Sequence, residues 1–336
     1  MARLLTVLLN YKTADMTLRA AEAATRAMDG IEGEITVVDN DSADGSFEML
    51  RDAIAAAPWA QGRVIRVLQS GRNGGFGAGN NVGIRAGLSD GTKPDLVFIL
   101  NSDAFPEPDA LHRLIGYLDA HPEAGFAGSH IYGDDGHPHV SAFRFPNVLG
   151  EIEDAARTGP ITRLLRNRTI PLPVPEQSCR VDWLAGAAMM MRQSVLDEIG
   201  LFDEAFFLYY EETDLSLRAA RAGHQTHYVR DSRVMHIGGV STGMKKWRRL
   251  PTYWLDSRWH YYTKNHGRAY ALLATAGRLA GWSVWQLRRA LQRKPDPDPD
   301  HFMRDLLAHH TRALFRPLPR PAQRAPRLPG NPVEVE

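Results

Sequence analysis

Through the first 131 positions, short unbroken apolar runs alternate with longer stretches in which apolar residues recur every three or four positions. The runs are Arg3–Asn10, Glu34–Val38, Arg63–Leu68, Asp95–Leu100 and Gly125–Ile131. Unbroken runs of this length predict strands covered on both faces, as in a parallel sheet. The intervening periodicity predicts helices over Thr13–Met28 (with Thr13 or Asp15 as cap), Phe47–Ala57, the neighbourhood of Asn80–Leu88, and Pro108–His121. The alternation predicts an α/β fold with a mostly parallel sheet flanked by helices. Ligands in such sheets sit beyond the carboxyl ends of the strands. The polar clusters Asn10, Asp39–Ser42, Arg72–Asn81 and Asn101–Asp103 all fall at those ends.

The second half is less regular. Residues 133–175 are rich in turns and Pro and show no clear period. Asp182–Arg192 is apolar with small residues, and Gln193–Ile199 predicts a short helix. An aromatic cluster, Phe206–Tyr210, runs directly into three acids, Glu211, Glu212 and Asp214, and then a short helix closed by Gly223. A strand-like piece follows and ends at His236, before a His-Gly-Gly-x-Ser turn. Ala269–Arg293 predicts a long helix with Trp282, Trp285 and apolar residues on one side and Arg on the other. The Pro-Asp repeat at 295–299 breaks it, His301–Phe315 predicts a last helix, and 316–336 reads as a disordered tail. The expected division is a domain over 1–243, with halves 1–131 and 132–243, and a basic helical extension over 244–315.

Composition narrows the class. The chain has 336 residues, 43% hydrophobic and 24% charged, with a net charge of +1, which is an ordinary globular balance that names no nucleic-acid partner. Charge is uneven, however: residues 245–294 hold twelve Lys and Arg against the single acid Asp256. A basic, Trp-containing segment reads either as a solvated helix packed on the domain or as a helix on a membrane surface. Cys179 is the only cysteine, which excludes a disulfide framework and fits a reducing cytoplasm. The N-terminal segment turns polar too soon for a signal peptide, and no apolar run is long enough to span a bilayer.

The candidate chemistry lies in five places. Asp39–Ser46 is either an Asx-turn before a helix or an acceptor for a nucleobase N–H or ribose hydroxyl. The Gly71–Asn81 loop lacks the Lys-Ser/Thr of a phosphate-binding loop and fails the dinucleotide spacing. Its glycines would still let backbone approach a ligand, and Asn80 and Asn81 offer amide groups. Asp103, at a strand end, is a carboxylate able to hold a hard divalent cation, and His236 is a second candidate ligand. Neighbours on a helix point about 100° apart, so at most one of Glu211 and Glu212 should face a given pocket. Asp214 reads as the acid at the helix N-terminus.

Together these blocks resemble the large glycosyltransferase family 2, of GT-A fold and inverting mechanism, and especially its rhamnosyltransferase-like branch. The matching pieces are Leu8–Asp15, Val37–Ser46, Asn73–Ile84, Phe98–Leu111, Trp183–Gly223 and His236–Ser241. The resemblance implies a dTDP- or UDP-linked sugar donor, best matched by rhamnose, and an envelope polysaccharide or lipid-linked glycan acceptor. It implies that Asn10, Asp39, Asn73, Phe76, Asn80, Asn81, Ser102 and Asp103 line the donor site. It places Trp183, Gly186 and Asp214 on the acceptor side. It gives Mg²⁺ or Mn²⁺ to Asp103 and His236. Glu212 becomes the general base, with Glu211 as the alternative. Asn101 stands where the family's Asp-x-Asp motif begins with Asp, and Glu212 stands where Asp is usual. The competing readings are a nucleotidyltransferase, a nucleotide-sugar-binding scaffold without turnover, and, least favoured, a dehydrogenase.

Overall fold

The computed structural model describes residues 2–239 and 247–316. The order is β1 (Leu4–Asn10), α1 (Ala14–Ala27), β2 (Gly33–Asp39), α2 (Ser46–Ala56), β3 (Ile65–Gln69), α3 (Phe76–Ala86), β4 (Leu96–Asn101), β5 (Ala104–Pro106), α4 (Ala110–Ala120) and β6 (Ala124–Tyr132). Then come β7 (Ala142–Phe143), α5 (Val148–Ala156), α6 (Gly159–Leu164), β8 (Cys179–Val181), β9 (Trp183–Leu184), β10 (Ala188–Arg192), α7 (Gln193–Ile199), α8 (Glu211–Arg221) and β11 (Gln225–His236). Three helices close the described chain: α9 (Thr252–His266), α10 (Arg268–Gln292) and α11 (Phe302–Ala313).

The main sheet runs β3-β2-β1-β4-β10-β6-β11-β5, with β8 also on β11, and β7 and β9 form a separate ribbon. β1, β2, β3 and β4 are mutually parallel, and β6 is parallel to β11. β10 enters antiparallel between β4 and β6. Both faces are covered, which is why the strands read as continuous apolar runs. Leu4, Leu8, Ile35 and Val37 pack on α1 and α4 through Ala20, Ala24, Leu111 and Leu114. The alternate residues Leu5, Val7 and Val38 pack the other way, with Ile84, Leu196 and Leu215 from α3, α7 and α8.

Register assembles the polar strand ends. Asn10 pairs with Asp39, and Leu9 with Asn101, so Asn10, Asp39 and Asn101 end three adjacent strands side by side. His236 pairs with Ala104, which sets it beside Asp103 although 133 residues separate them.

Three expectations are corrected. First, residues 133–175 contain α5 and α6. α5 carries a helical apolar spacing (Val148, Ile152, Ala155 and Ala156) that the turn-rich surroundings hid, and its inward residues also include Glu151 and Glu153. Second, α3, the helix expected near Asn80–Leu88, begins four residues earlier, at Phe76, so Phe76–Gly79 belong to the helix rather than to the loop. Its glycines serve close packing. A methyl at Gly83 would lie 2.6 Å from Val7 and one at Gly79 2.4 Å from Leu9, so the helix rests directly on β1. Third, Trp and the apolar residues do not share one side of α10 with Arg on the other: Leu287 and Leu291 are exposed. Trp285 is buried and stacks under Arg157, and Arg278 points inward.

Arg278 belongs to a buried charge cluster joining the C-terminal helices to α5. Glu151 accepts from Arg258, from Tyr262 Oη at 2.8 Å and from Arg278 Nη1 at 2.8 Å. Arg258 is fully buried and reaches Thr275, whose hydroxyl meets His310. The two guanidinium groups hold the Glu151 carboxyl down to about 2 although burial alone would raise it. Part of the basic character of 245–294 is therefore spent on pairing: Arg258 and Arg278 inside the protein, Lys264 with Asp203 and Asp214, and Arg249 with Asp305 at the surface. Among the described residues no helix is long and apolar enough to cross a membrane.

Candidate active site

The residues expected on the donor side include a hydrogen-bonded row at the ends of β1, β2 and β4. Asn10 Nδ2 donates to Asp39 Oδ1 at 2.7 Å, while Thr13 and Thr17 hydroxyls donate to Asn10 Oδ1. Ser42 donates to Asp39 from both its backbone N–H and its hydroxyl. Thr13 also reaches Ser102 Oγ at 3.1 Å. The Asx-turn expected at Asp39–Ser46 is present, and it orders the carboxylate that ends the strand.

Asn73, Asn80 and Asn81 hold the frame. Asn73 Oδ1 accepts from the Gly75 N–H and from Asn40 Nδ2. Asn80 Nδ2 donates to the Phe76 carbonyl. Asn81, fully buried, donates to the Phe202 carbonyl and Glu204 and accepts from the Phe202 N–H. Asn40, Asp203 and Glu204 were not singled out from sequence. Asn40 ties the Gly loop to β2, Glu204 binds Asn81, Arg72 and Arg85, and Asp203 binds His260 and Lys264.

Asp103 and His236 do come together. His236 Nε2 is 3.1 Å from Asp103 Oδ1, and the Gly238 N–H donates to Asp103 Oδ2 at 3.1 Å. Asn101 Nδ2 lies 3.3 Å from the same His236 nitrogen. With Nε2 protonated the ring donates to Asp103; deprotonated, it accepts from Asn101. Val240 and Ser241, the end of the His-Gly-Gly-x-Ser turn, lie outside the described residues.

The two glutamates face different surroundings. Glu211 is 2% exposed and abuts Gly77 of α3. Glu212 is partly exposed and accepts from the Gly186 N–H at 3.3 Å through Oε1. Its Oε2 has no hydrogen-bond partner among the described residues. Burial raises both carboxyls, and the neighbouring Glu212 pushes Glu211 further up. They start α8 directly after Tyr209 and Tyr210, which both hold left-handed backbone at φ 69° and 71°. A non-glycine residue there costs about 1–3 kcal/mol. Of the eight such residues among those described, Lys12, Asp41, Ala43, Tyr209 and Tyr210 all flank this site.

Backbone contacts join the parts. The Phe76 N–H donates to the Phe207 carbonyl at 3.0 Å, tying the Gly loop to the segment before the glutamates. Gly75 has φ 89°, and a methyl there would lie 1.8 Å from that same carbonyl oxygen, so only glycine fits. Gly186 touches Glu212, and the next residue, Ala187, accepts from the Asn101 N–H at 3.0 Å. One short path therefore runs from Glu212 through β10 and β4 to the Asp103–His236 pair. A methyl on Gly186 would meet the Phe76 ring at 3.0 Å and Glu212 Oε1 at 3.7 Å, so Gly186, Phe76 and Glu212 share one wall. Trp183 stacks on Phe143 at 4.2 Å and donates its indole N–H to the Arg144 carbonyl.

Asp214 is the correction on the acceptor side. It is fully buried and receives Arg218, Lys264 and Asn265, pinning α8 to α9. It presents no surface to an acceptor.

The comparisons agree with this architecture. The sequence model of "Glycosyltransferase like family 2" matches residues 4–270. The chain is 29% identical over 276 residues to N-acetylglucosaminyl-diphospho-decaprenol L-rhamnosyltransferase of Mycobacterium tuberculosis, covering 76% of this chain and 80% of that protein. It is 30% identical over 167 residues to rhamnosyltransferase WbbL of Escherichia coli, covering 48% and 60%. The mannosyltransferase PcManGT of Pyrobaculum calidifontis, solved with GDP-Man and Mn²⁺, superposes with TM-score 0.53 at 14% identity, over 94% of this chain and 87% of that one. S. aureus TarS 1–349 with UDP-GlcNAc gives TM-score 0.53 at 13% identity, over 94% and 82%. These two show a shared fold, the GT-A arrangement of a mostly parallel sheet between helices. Fold, strand-end polar row and sequence match lead to one assignment: the chain belongs to glycosyltransferase family 2 and is a glycosyltransferase.

Proposed function

We propose that this glycosyltransferase moves rhamnose from a dTDP- or UDP-linked donor to a hydroxyl of a lipid-linked glycan, inverting the anomeric carbon. The observation that carries the mechanism is Glu212: one carboxylate oxygen is anchored by the Gly186 N–H and the other is buried without a protein donor, as Glu211 Oε2 also is, and the contact with Gly186 beside Phe76 singles out Glu212. That is the state of a general base waiting for an acceptor proton. The sugar and acceptor classes are supported by the names of the relatives, which act on a diphospho-decaprenol-linked sugar or carry rhamnosyltransferase activity.

In this reading Asn10, Asp39 and Ser42 meet the nucleoside, and Phe76, Trp183 and Gly186 shape the space around the reacting sugars. The acceptor oxygen bonds to the anomeric carbon from the face opposite the leaving group. The carbon–oxygen bond to the diphosphate breaks with its electron pair, and the acceptor proton passes to Glu212 Oε2. Glu211 stays protonated behind it, which spares the pocket a second buried charge. Asp103 and His236 are a carboxylate and an imidazole within 3.1 Å, a donor set that suits Mg²⁺ or Mn²⁺ completed by phosphate oxygens. No third His, Cys, Asp or Glu joins them among the described residues, in keeping with a cation shared with substrate. When bound, such a cation neutralises charge on the departing nucleoside diphosphate. Peripheral membrane contact through 245–294 belongs to the same reading; Lys245 and Lys246 lie outside the described residues.

The test is a nucleotide-sugar panel with a prenyl-diphosphate-linked sugar acceptor, read by release of nucleoside diphosphate with and without Mg²⁺ or Mn²⁺. Turnover of a rhamnose nucleotide, lost in Asp103→Ala and on chelation, is the expected result. Turnover of another sugar, or undiminished activity in Asp103→Ala, would overturn the donor or the metal assignment.

A further inference from the structure

The packing of α10 leaves an apolar face uncovered. Its inward face, Ala271, Ala274, Thr275, Gly277, Gly281 and Trp285, is buried. On the opposite side Leu273, Ala276, Ala280, Val284, Leu287 and Leu291 are all exposed. At about 100° per residue these six fall within an arc of about 80°, with no charged side chain inside it. From Leu273 to Leu291 the stripe is about 27 Å long. Leu287 is 65% exposed and Leu291 77%. Solvent normally meets the polar side of a helix, and here it meets the apolar one.

The charges on the stripe's own helix have one sign, and the acids nearest to it are paired: Asp296 with Arg289, Asp298 with Arg157 and Asp154 with Arg278. Helix α10 contains no Asp or Glu, and Arg293 and Lys294 follow its last turn, both exposed. The neighbouring α6 adds to this: the Arg288 side chain donates to the Arg157 carbonyl, just before α6 begins. There Arg163, Leu164, Arg166 and Arg168 are exposed, with Leu164 at 82%. At the other end, Arg268 donates to the Arg316 carbonyl, beside the exposed Phe315.

An acid-free helix with an exposed aliphatic stripe and basic margins suits an anionic bilayer surface. The stripe would sink to the headgroup–acyl boundary, and Arg and Lys would meet lipid phosphates. We infer that α10 lies in the plane of an anionic membrane through Leu273, Val284, Leu287 and Leu291, and not through its tryptophans. The inference rests on the lipid-linked acceptor proposed above, since surface attachment places the enzyme where such an acceptor resides. It also fixes which side of the chain faces lipid: the one away from α5.

The experiment is flotation of the full-length chain with phosphatidylglycerol/phosphatidylcholine vesicles and with phosphatidylcholine vesicles alone. Native protein should float with the anionic vesicles and be released by high salt. The variant Leu287→Glu/Leu291→Glu, at two exposed positions, should bind at least about tenfold less, since it removes two apolar anchors and adds two like charges. Circular dichroism and thermal unfolding confirm that it is folded. A second variant, Arg293→Gln/Lys294→Gln, should weaken binding only to the anionic vesicles. Absence of flotation with anionic vesicles, or equal flotation of native and Leu287→Glu/Leu291→Glu, would overturn the inference. So would a native dimer in analytical ultracentrifugation that this variant splits, because the stripe would then be a subunit contact. No donor or acceptor enters the assay, so its failure is separable from failure of the sugar-transfer reading.

Discussion

Replacing each of the paired glutamates by glutamine separates their roles. Glu212→Gln keeps the side-chain shape and the neighbour at the Gly186 N–H but removes the group that takes the proton. General-base assistance is worth about 10²–10⁴-fold, or about 3–5 kcal/mol of barrier, and kcat should fall by that amount. Glu211 is 2% exposed, and burial and the neighbouring Glu212 raise its carboxyl, which favours the neutral form. Glutamine reproduces a neutral carboxyl, and Glu211→Gln should change kcat by no more than about threefold. The assay is initial-rate diphosphate release between pH 5 and 9. Burial raises the Glu212 carboxyl, so the acid limb of native kcat should lie above the ordinary carboxylate range. Stability runs the other way. A carboxyl raised in the fold stabilises it fully below the unfolded value and loses that contribution as pH climbs through the folded value. The native melting temperature should therefore carry a decline toward alkaline pH that Glu211→Gln reduces, about 1.4 kcal/mol for each unit of the removed shift. An inactive Glu211→Gln beside an active Glu212→Gln would refute the assignment.

Two further outcomes follow from contact geometry. Gly186→Ala places a methyl 3.0 Å from the Phe76 ring, and the ring must move to admit it. The cost should be about 1–3 kcal/mol in urea unfolding, with a kcat loss approaching about 100-fold from a displaced wall; unchanged kcat would show that Phe76 shapes nothing near the reaction. Arg258→Met leaves Glu151 with one of its two guanidinium partners in a buried site and should destabilise by about 3–5 kcal/mol; a loss under about 1 kcal/mol would mean that the cluster tolerates its own disruption.

The parallel half was legible because its strands are covered on both sides, so β1, β2 and β4 appear as plain apolar runs with polar ends. The site residues at those ends could be named for the same reason: register delivers Asn10, Asp39 and Asn101 to one row. What was hidden depends on pairing between distant segments. Nothing within Ala188–Arg192 says that it enters antiparallel between β4 and β6. Glu151 of α5 was passed over and Asp214 was misplaced for a shared cause. Their carboxylates point inward to arginines and lysine from α9 and α10, and a local pattern reads a charge as solvated. Gly77 and Gly79 were taken for ligand approach when Phe202 and Leu9 need the space. The mixed sides of α10 are the same error at larger scale, since Arg278 lies inside because Glu151 does.

That last pairing constrains how this chain can vary. The family match ends at residue 270, yet Arg278 and Thr275, which complete the Glu151 cluster, lie beyond it. A fragment cut where the match ends would keep Glu151 and Arg258 but lose the second guanidinium and the cover above both. The last helices are therefore not an appendage that can be trimmed or traded freely. Any substitute for α10 must bring a cation to one fixed point on its inner side, while its outer side answers only to what lies outside the protein. The two faces of a single helix are thus subject to separate demands: one is fixed by a buried carboxylate, and the other can be retuned without disturbing the fold that carries the chemistry.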